Sequence, residues 1–115
     1  MRPMVYIACP ITKGSRNWNY YQACEMEKQL MLTGFAPQNP CHTMCLPFSW
    51  EEGITHELWL ACCFPLIARM DAVLRLPGLS IGADSECQHA MEIGVPVFES
   101  VEALEAWKEA EFDRD

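Results

Sequence analysis

The chain has 115 residues, with 16 Asp plus Glu against 8 Lys plus Arg, a formal net charge of -8, 50% hydrophobic residues and seven cysteines. That length and apolar fraction support one folded domain burying roughly 65% of the surface its unfolded chain exposes, with no need of disulfides or a structural metal, and they exclude intrinsic disorder. Eight cations on an acidic chain exclude a protein that grips nucleic acid by neutralising phosphates, so small ligands or proteins are the expected partners.

Residues 99–115 hold seven acids against two cations, -5 of the -8, and read as a solvated C-terminal helix over about 100–112. The cysteine count is odd, and the first ten residues offer one Arg and a five-residue apolar run rather than a secretory leader. A reducing cytoplasm is the expected setting. The longest strongly apolar run, residues 58–68, is eleven long with Pro65 inside it, whereas a membrane span needs about 20, so no membrane is expected.

Val5-Tyr6-Ile7-Ala8-Cys9 is rich in strand formers and stops at Pro10, which predicts a short buried first strand. A polar loop, Thr12-Lys13-Gly14-Ser15, leads into an amphipathic helix over 17–33, with Tyr20, Ala23, Cys24, Leu30 and Met31 at helical spacing and Gly34 as the stop. Phe35-Ala36-Pro37 predicts a brief second strand, with proline tolerated only near its start. Residues 29–50 contain no Lys, Arg, Asp or Glu, and 38–50 lack periodicity. That apolar loop either lines a ligand pocket, forms a subunit contact or folds onto the core.

A helix is predicted over 51–70, kinked or split at Pro65, then a strand Asp71-Ala72-Val73-Leu74-Arg75-Leu76 ended by Pro77-Gly78. Residues 82–93 predict a helix with Gly94 as its C-cap, Pro96-Val97-Phe98 a fourth strand, and Ser100 the cap of the last helix. Strict alternation of strand and helix predicts an α/β fold, three-layered and Rossmann-like (flavodoxin-like), with a parallel sheet of about four strands and helices on both faces.

In such sheets ligands bind at the carboxyl ends of the strands, where strand order reverses. Two loops arrive there, Cys9-Pro10-Ile11-Thr12-Lys13-Gly14-Ser15 and Pro77-Gly78-Leu79-Ser80-Ile81-Gly82. In the second, glycines permit close backbone approach, Ser80 offers a hydroxyl, and a helix N-terminus offers N–H groups to an anion, although the same residues also build ordinary turns. Glu86 lies about 60° from the apolar line of its helix at 100° per residue, turned partly toward the sheet. The helix dipole is expected to keep it ionised. Asp84 lies about 160° away around the helix, and His89, three residues on, is a candidate hydrogen-bond partner.

The order Tyr6-Ile7-Ala8-Cys9-Pro10, Asn39-Pro40, Asp71-Ala72-Val73-Leu74, then Ser80-x-Gly-Ala-Asp-x-Glu86 followed by Ala90 and Gly94-Val95-Pro96-Val97, resembles the nucleoside 2-deoxyribosyltransferase-like proteins. These include deoxynucleoside-monophosphate N-glycosidases and short phage and bacterial relatives of unassigned function. The resemblance spans roughly residues 4–98, and its most specific part is the spacing from Ser80 to Glu86. It implies cleavage or transfer at the N-glycosidic bond of a (deoxy)nucleoside or its 5′-monophosphate, with Glu86 as the nucleophile on the sugar C1′ and no cofactor. Ser80 matches the serine that contacts a 5′-phosphate, and Tyr6 an aromatic residue near the sugar. A tyrosine merely packed in the first strand is the alternative. The candidate substrate-binding set is Tyr6, Cys9, Pro10, His42, Gly78, Ser80 and Gly82, and a homo-oligomer completing its pockets across subunits is also implied.

Two departures accompany the resemblance. Family enzymes carry an acid about eight residues before the strand-opening aspartate, where this chain reads Cys62-Cys63-Phe64. Glu57 or His56 replaces it only if Pro65 redirects the helix. Cys9 stands where relatives often have Gly, narrowing the pocket. The missing acid keeps open a catalytically inactive nucleotide-binding module of the same fold, and the apolar loop keeps open an interaction protein. Cys41-His42-x-x-Cys45 offers part of a zinc site, but no distant Cys-x-x-Cys or His pair completes four ligands, so no metal is assigned. His42 is expected to face the base or sugar, and Cys62 and Cys63 are expected to be core residues.

Overall fold

A computed structural model describes residues 1–44 and 52–113. Four parallel strands form one sheet in the order β2-β1-β3-β4. β1 is Met4–Ala8, β2 Ala36–Gln38, β3 Ala72–Arg75 and β4 Val97–Phe98. In the two central strands the alternation of side chains sorts the core into two halves. Val5, Ile7, Ala72, Leu74 and Leu76 face one side, with Ala23 and Leu30 of helix α1 (Arg16–Leu32) and Val101 and Leu104 of helix α5 (Val101–Trp107). Tyr6, Ala8 and Val73 face the other, with Cys63 and Ile67 of helix α3 (His56–Ile67) and Ala83, Cys87 and Ala90 of helix α4 (Ile81–Glu92). The result is the three-layer, Rossmann-like α/β arrangement expected, because a sheet whose strands are apolar on both faces must be covered on both.

Serine and threonine set the helix starts. Ser15 accepts from Trp18 N, Thr55 from Leu58 N, Ser80 from Ala83 N and Ser100 from Ala103 N, each satisfying an otherwise orphan donor. Thr55 therefore starts α3 at His56, five residues later than the sequence-based expectation of 51. Pro65 does not split the helix. It stands in the last turn, where one missing N–H forfeits a single bond, and α3 runs on to Ile67.

Pro37 occupies the middle of β2 rather than its start. Ala36 N–H donates to Pro3 O at 2.9 Å, so the alternate residue Pro37 turns its missing donor toward the open edge, where nothing needs it. The apolar segment after β2 begins as a short helix, α2 (Cys41–Met44), not as a loop. Asn39 nucleates it by accepting from Cys41 N at 2.9 Å. Cys45, Leu46, Pro47, Phe48 and Trp50 lie outside the described residues, as do Arg114 and Asp115. The C-terminal helix continues past α5 as a π-helical stretch, Lys108–Phe112, closed by an ion pair of 2.8 Å between Lys108 and Asp113. Its acids Glu102, Glu105, Glu109 and Glu111 are exposed, as a solvated face requires.

All six described cysteines are free thiols. Among the described residues no helix is long and apolar enough to cross a membrane.

Candidate functional site

Strand order reverses between β1 and β3: the chain leaves β1 toward β2 on one side and leaves β3 toward β4 on the other. The carboxyl ends of these strands diverge there and open a cleft of about 650 Å³, within the usual range for a small-molecule site. The loop after β1 contributes Cys9, Ile11, Thr12 and Lys13, and the loop after β3 contributes Leu79 and Ser80. Helix α4 supplies Gly82, Ala83 and Glu86, and the start of α3 supplies Thr55, His56 and Trp59.

Glu86 is the buried acid of this cleft, only 4% exposed. The Tyr6 hydroxyl, on the same face of the sheet, donates to its Oε2. Cys63 reaches both groups from α3. Desolvation pushes the Glu86 carboxyl up to about 7, against the opposing pull of the Tyr6 and Cys63 hydrogen bonds and of Arg75. The sequence-based expectation that the helix dipole keeps Glu86 ionised is thus overturned. Glu86 is the sixth residue of α4, and the field of a helix terminus fades beyond the first turn, so burial dominates. The partners stay protonated: burial raises Tyr6 well above its ordinary range and pushes the Cys63 thiol up to about 12.

Cys63 stands eight residues before Asp71, and the structure places a neutral thiol there, against the carboxyl. Cys62, its neighbour, is exposed rather than in the core. His89 is not the partner of Glu86 either. Its ring stacks on Phe64 at 4.0 Å with an interplanar angle of 5°. Asp84, exposed at the edge of the cleft, pairs with Arg75 at 3.0 Å rather than with Glu86.

The predicted binding set divides. Tyr6, Cys9, Ser80 and Gly82 come together at the cleft, with Tyr6 reaching it through Glu86. Pro10 and Gly78 do not line it: Gly78 has φ +116, and a Cβ there would meet Pro10 Cγ at 2.9 Å. The two residues pack the strand ends together, which only glycine permits. His42 is directed elsewhere. Its Nε2 lies 2.7 Å from Glu27 Oε1 and its Nδ1 3.1 Å from the Tyr20 hydroxyl, because α2 turns it back onto α1. Cys41 points the other way, into the core, with its Sγ 3.5 Å from Cys9 Sγ, so Cys41 and His42 cannot share a metal.

Sequence reasoning missed Arg16 and Trp59, and reached His56 by the wrong route. His56 enters the cleft because α3 begins there, without any redirection by Pro65, and Glu57 is not among the lining residues. The signals were legible in the caps. Arg16 follows the Ser15 cap of a helix whose start must face the strand ends, and Thr55, His56 and Trp59 share one helical face at i, i+1 and i+4.

A four-strand parallel sheet with a buried carboxyl at its switch-point cleft defines a small α/β domain of Rossmann-like architecture. The chain belongs to the family described as Domain of unknown function (DUF4406), whose model matches residues 3–99, from the approach to β1 through β4. No curated protein and no solved structure matches it.

Proposed function

We propose that the chain cleaves or transfers at the N-glycosidic bond of a (deoxy)nucleoside or its 5′-monophosphate, with Glu86 as nucleophile. The observation that carries this reading is the buried Glu86 carboxyl at the switch-point cleft, fixed by a hydroxyl that only donates to it. A carboxylate so held attacks the sugar C1′. The C1′–O bond forms as the C1′–N bond breaks, and its electron pair leaves with the base. The base takes a proton from water or from the His56 imidazole, which lines the cleft. Water, or a second base, then attacks C1′ as the C1′–O bond to Glu86 breaks, its proton passing to solvent or to His56, and Glu86 is freed as the carboxylate. Ser80, the N–H groups opening α4, Lys13 and Arg16 form the cationic and donor-rich wall that suits a 5′-phosphate. No metal or other cofactor enters these steps.

A second reading, a nucleotide-binding module without turnover, is favoured by one observation: the position of the family acid holds the thiol Cys63. Incubation with a panel of deoxynucleosides and their monophosphates, read as free base by chromatography, separates the two. Base release abolished by Glu86→Gln supports the enzyme, and tight nucleotide binding without release supports the module. Release that persists in Glu86→Gln removes Glu86 from the proposed role. The same proposal includes a cytoplasmic homo-oligomer, and a monomer by light scattering at micromolar concentration counts against that part.

A further inference from the structure

Apart from the cleft, three side chains of metal-binding type converge between α1 and α2. Cys24 and Glu27, at i and i+3 on one face of α1, meet His42 of α2, and their donor atoms Sγ, carboxylate O and imidazole N all lie within 4.8 Å of one another. A tetrahedral zinc ion with bonds of 2.0–2.3 Å holds its donors roughly 3.3–3.7 Å apart, so small rotamer adjustments bring the three onto one centre. The side chains of His42 and Glu27 are 50% and 23% exposed, which leaves the centre open to solvent.

What separates this cluster from a chance grouping is the support behind each donor. The Tyr20 hydroxyl lies 3.1 Å from His42 Nδ1, one turn before Cys24 on the same helix. With an ion bound, the Nδ1 proton is directed at that oxygen, and Nε2, the nitrogen that faces Glu27 at 2.7 Å, turns its lone pair to the metal. Buried Asn39 sends its amide nitrogen toward Glu27 Oε1 at 3.1 Å and Cys24 Sγ at 3.8 Å, while its own oxygen is fixed by Cys41 N. The carboxylate and the thiol are thus both oriented by one amide and the imidazole by one phenol, the second layer of contacts that metal sites use to fix ligand geometry.

We propose that Cys24, Glu27 and His42 form a zinc site, with the fourth position left to water. Thiolate, imidazole and carboxylate together suit Zn²⁺ and disfavour Mg²⁺ or Ca²⁺, which take oxygen ligands. Binding releases the Cys24 thiol proton, and any proton on His42 Nε2, to solvent, and the ion ties α2 to α1 independently of the nucleotide reading.

The test is titration of the full chain, after chelator treatment and dialysis under reducing conditions, with Zn²⁺ by calorimetry and with Co²⁺ by absorption. The expected result is one zinc per chain and a cobalt spectrum with thiolate charge transfer and tetrahedral ligand-field bands. Cys24→Ser and His42→Ala should each weaken zinc about 100-fold or more, and Tyr20→Phe roughly 10-fold. Exposed Cys62→Ser should leave it unchanged. Circular dichroism establishes that each variant is folded. Zinc affinity unaltered in folded Cys24→Ser and His42→Ala, or a cobalt spectrum without thiolate character, overturns the proposal.

Discussion

Burial decides the behaviour of Glu86. With a folded pKa of about 7 against 4.5 for a free side chain, the folded protein holds a proton that the unfolded chain has released between those values. Stability therefore falls as pH rises from about 4.5 to about 7 and is level above, a cost of about 3 kcal/mol for the ionised form. Glu86→Gln retains an oxygen for Tyr6 and cannot ionise. It should unfold in urea about 2–3 kcal/mol later than the parent at pH 8 and near parity at pH 4.5, and it should release no base. A constant difference between the two pH values would show that the carboxyl is not desolvated as the geometry requires. Activity of the parent should climb through pH 7 as the nucleophile ionises. Tyr6→Phe removes a stabilising donor from the carboxylate, so the midpoint of that climb should move up and the rate at pH 7 should fall, measured as base release against pH.

The helix α4 carries two tasks through one residue. Ser80 caps it by accepting from Ala83 N at 3.0 Å, and it also lines the cleft. Stability and binding should separate on substitution. Ser80→Ala should cost about 1 kcal/mol of stability by chemical denaturation and weaken a 5′-monophosphate, whereas Ser80→Gly should cost only a few tenths and weaken that ligand equally, since glycine caps without a hydroxyl. Nearby, Gly78→Ala should destabilise by about 1–3 kcal/mol. Its φ of +116 and the 2.9 Å approach of Pro10 leave a methyl group nowhere to go. The sequence signals for these elements were strong because caps and turn glycines act locally. The start of α3 falls five residues later than the sequence suggests because Glu51 and Glu52 imitate an acidic first turn, whereas Gly53 at φ +83 and the Thr55 cap hold the start back to His56.

For the whole molecule, strand–helix alternation was enough to specify the parallel three-layer fold, and the Ser80 to Glu86 spacing marked the cleft. His42 was misassigned because its sequence position, after a strand end, resembles those of the pocket residues. Only α2, nucleated by Asn39, turns it back onto α1. Net charge misleads in a similar way. The chain carries -8, yet most of it belongs to exposed acids from Glu99 onward, none of which lines the cleft, whereas Lys13 and Arg16 do. At physiological salt, surface charges beyond about 8 Å are screened, so the tail should matter little to a bound phosphate and the two cations a great deal. Each charge-assisted hydrogen bond contributes about 1.5–3 kcal/mol and each 1.4 kcal/mol is tenfold in affinity. The double variant Lys13→Ala with Arg16→Ala should therefore bind a deoxynucleoside 5′-monophosphate at least about tenfold more weakly by calorimetry, while its affinity for the deoxynucleoside changes less than about twofold. Replacing Glu102, Glu105 and Glu109 by Gln should alter neither. Equal losses for both ligands in the double variant would mean that the two cations shape the cleft rather than hold a phosphate.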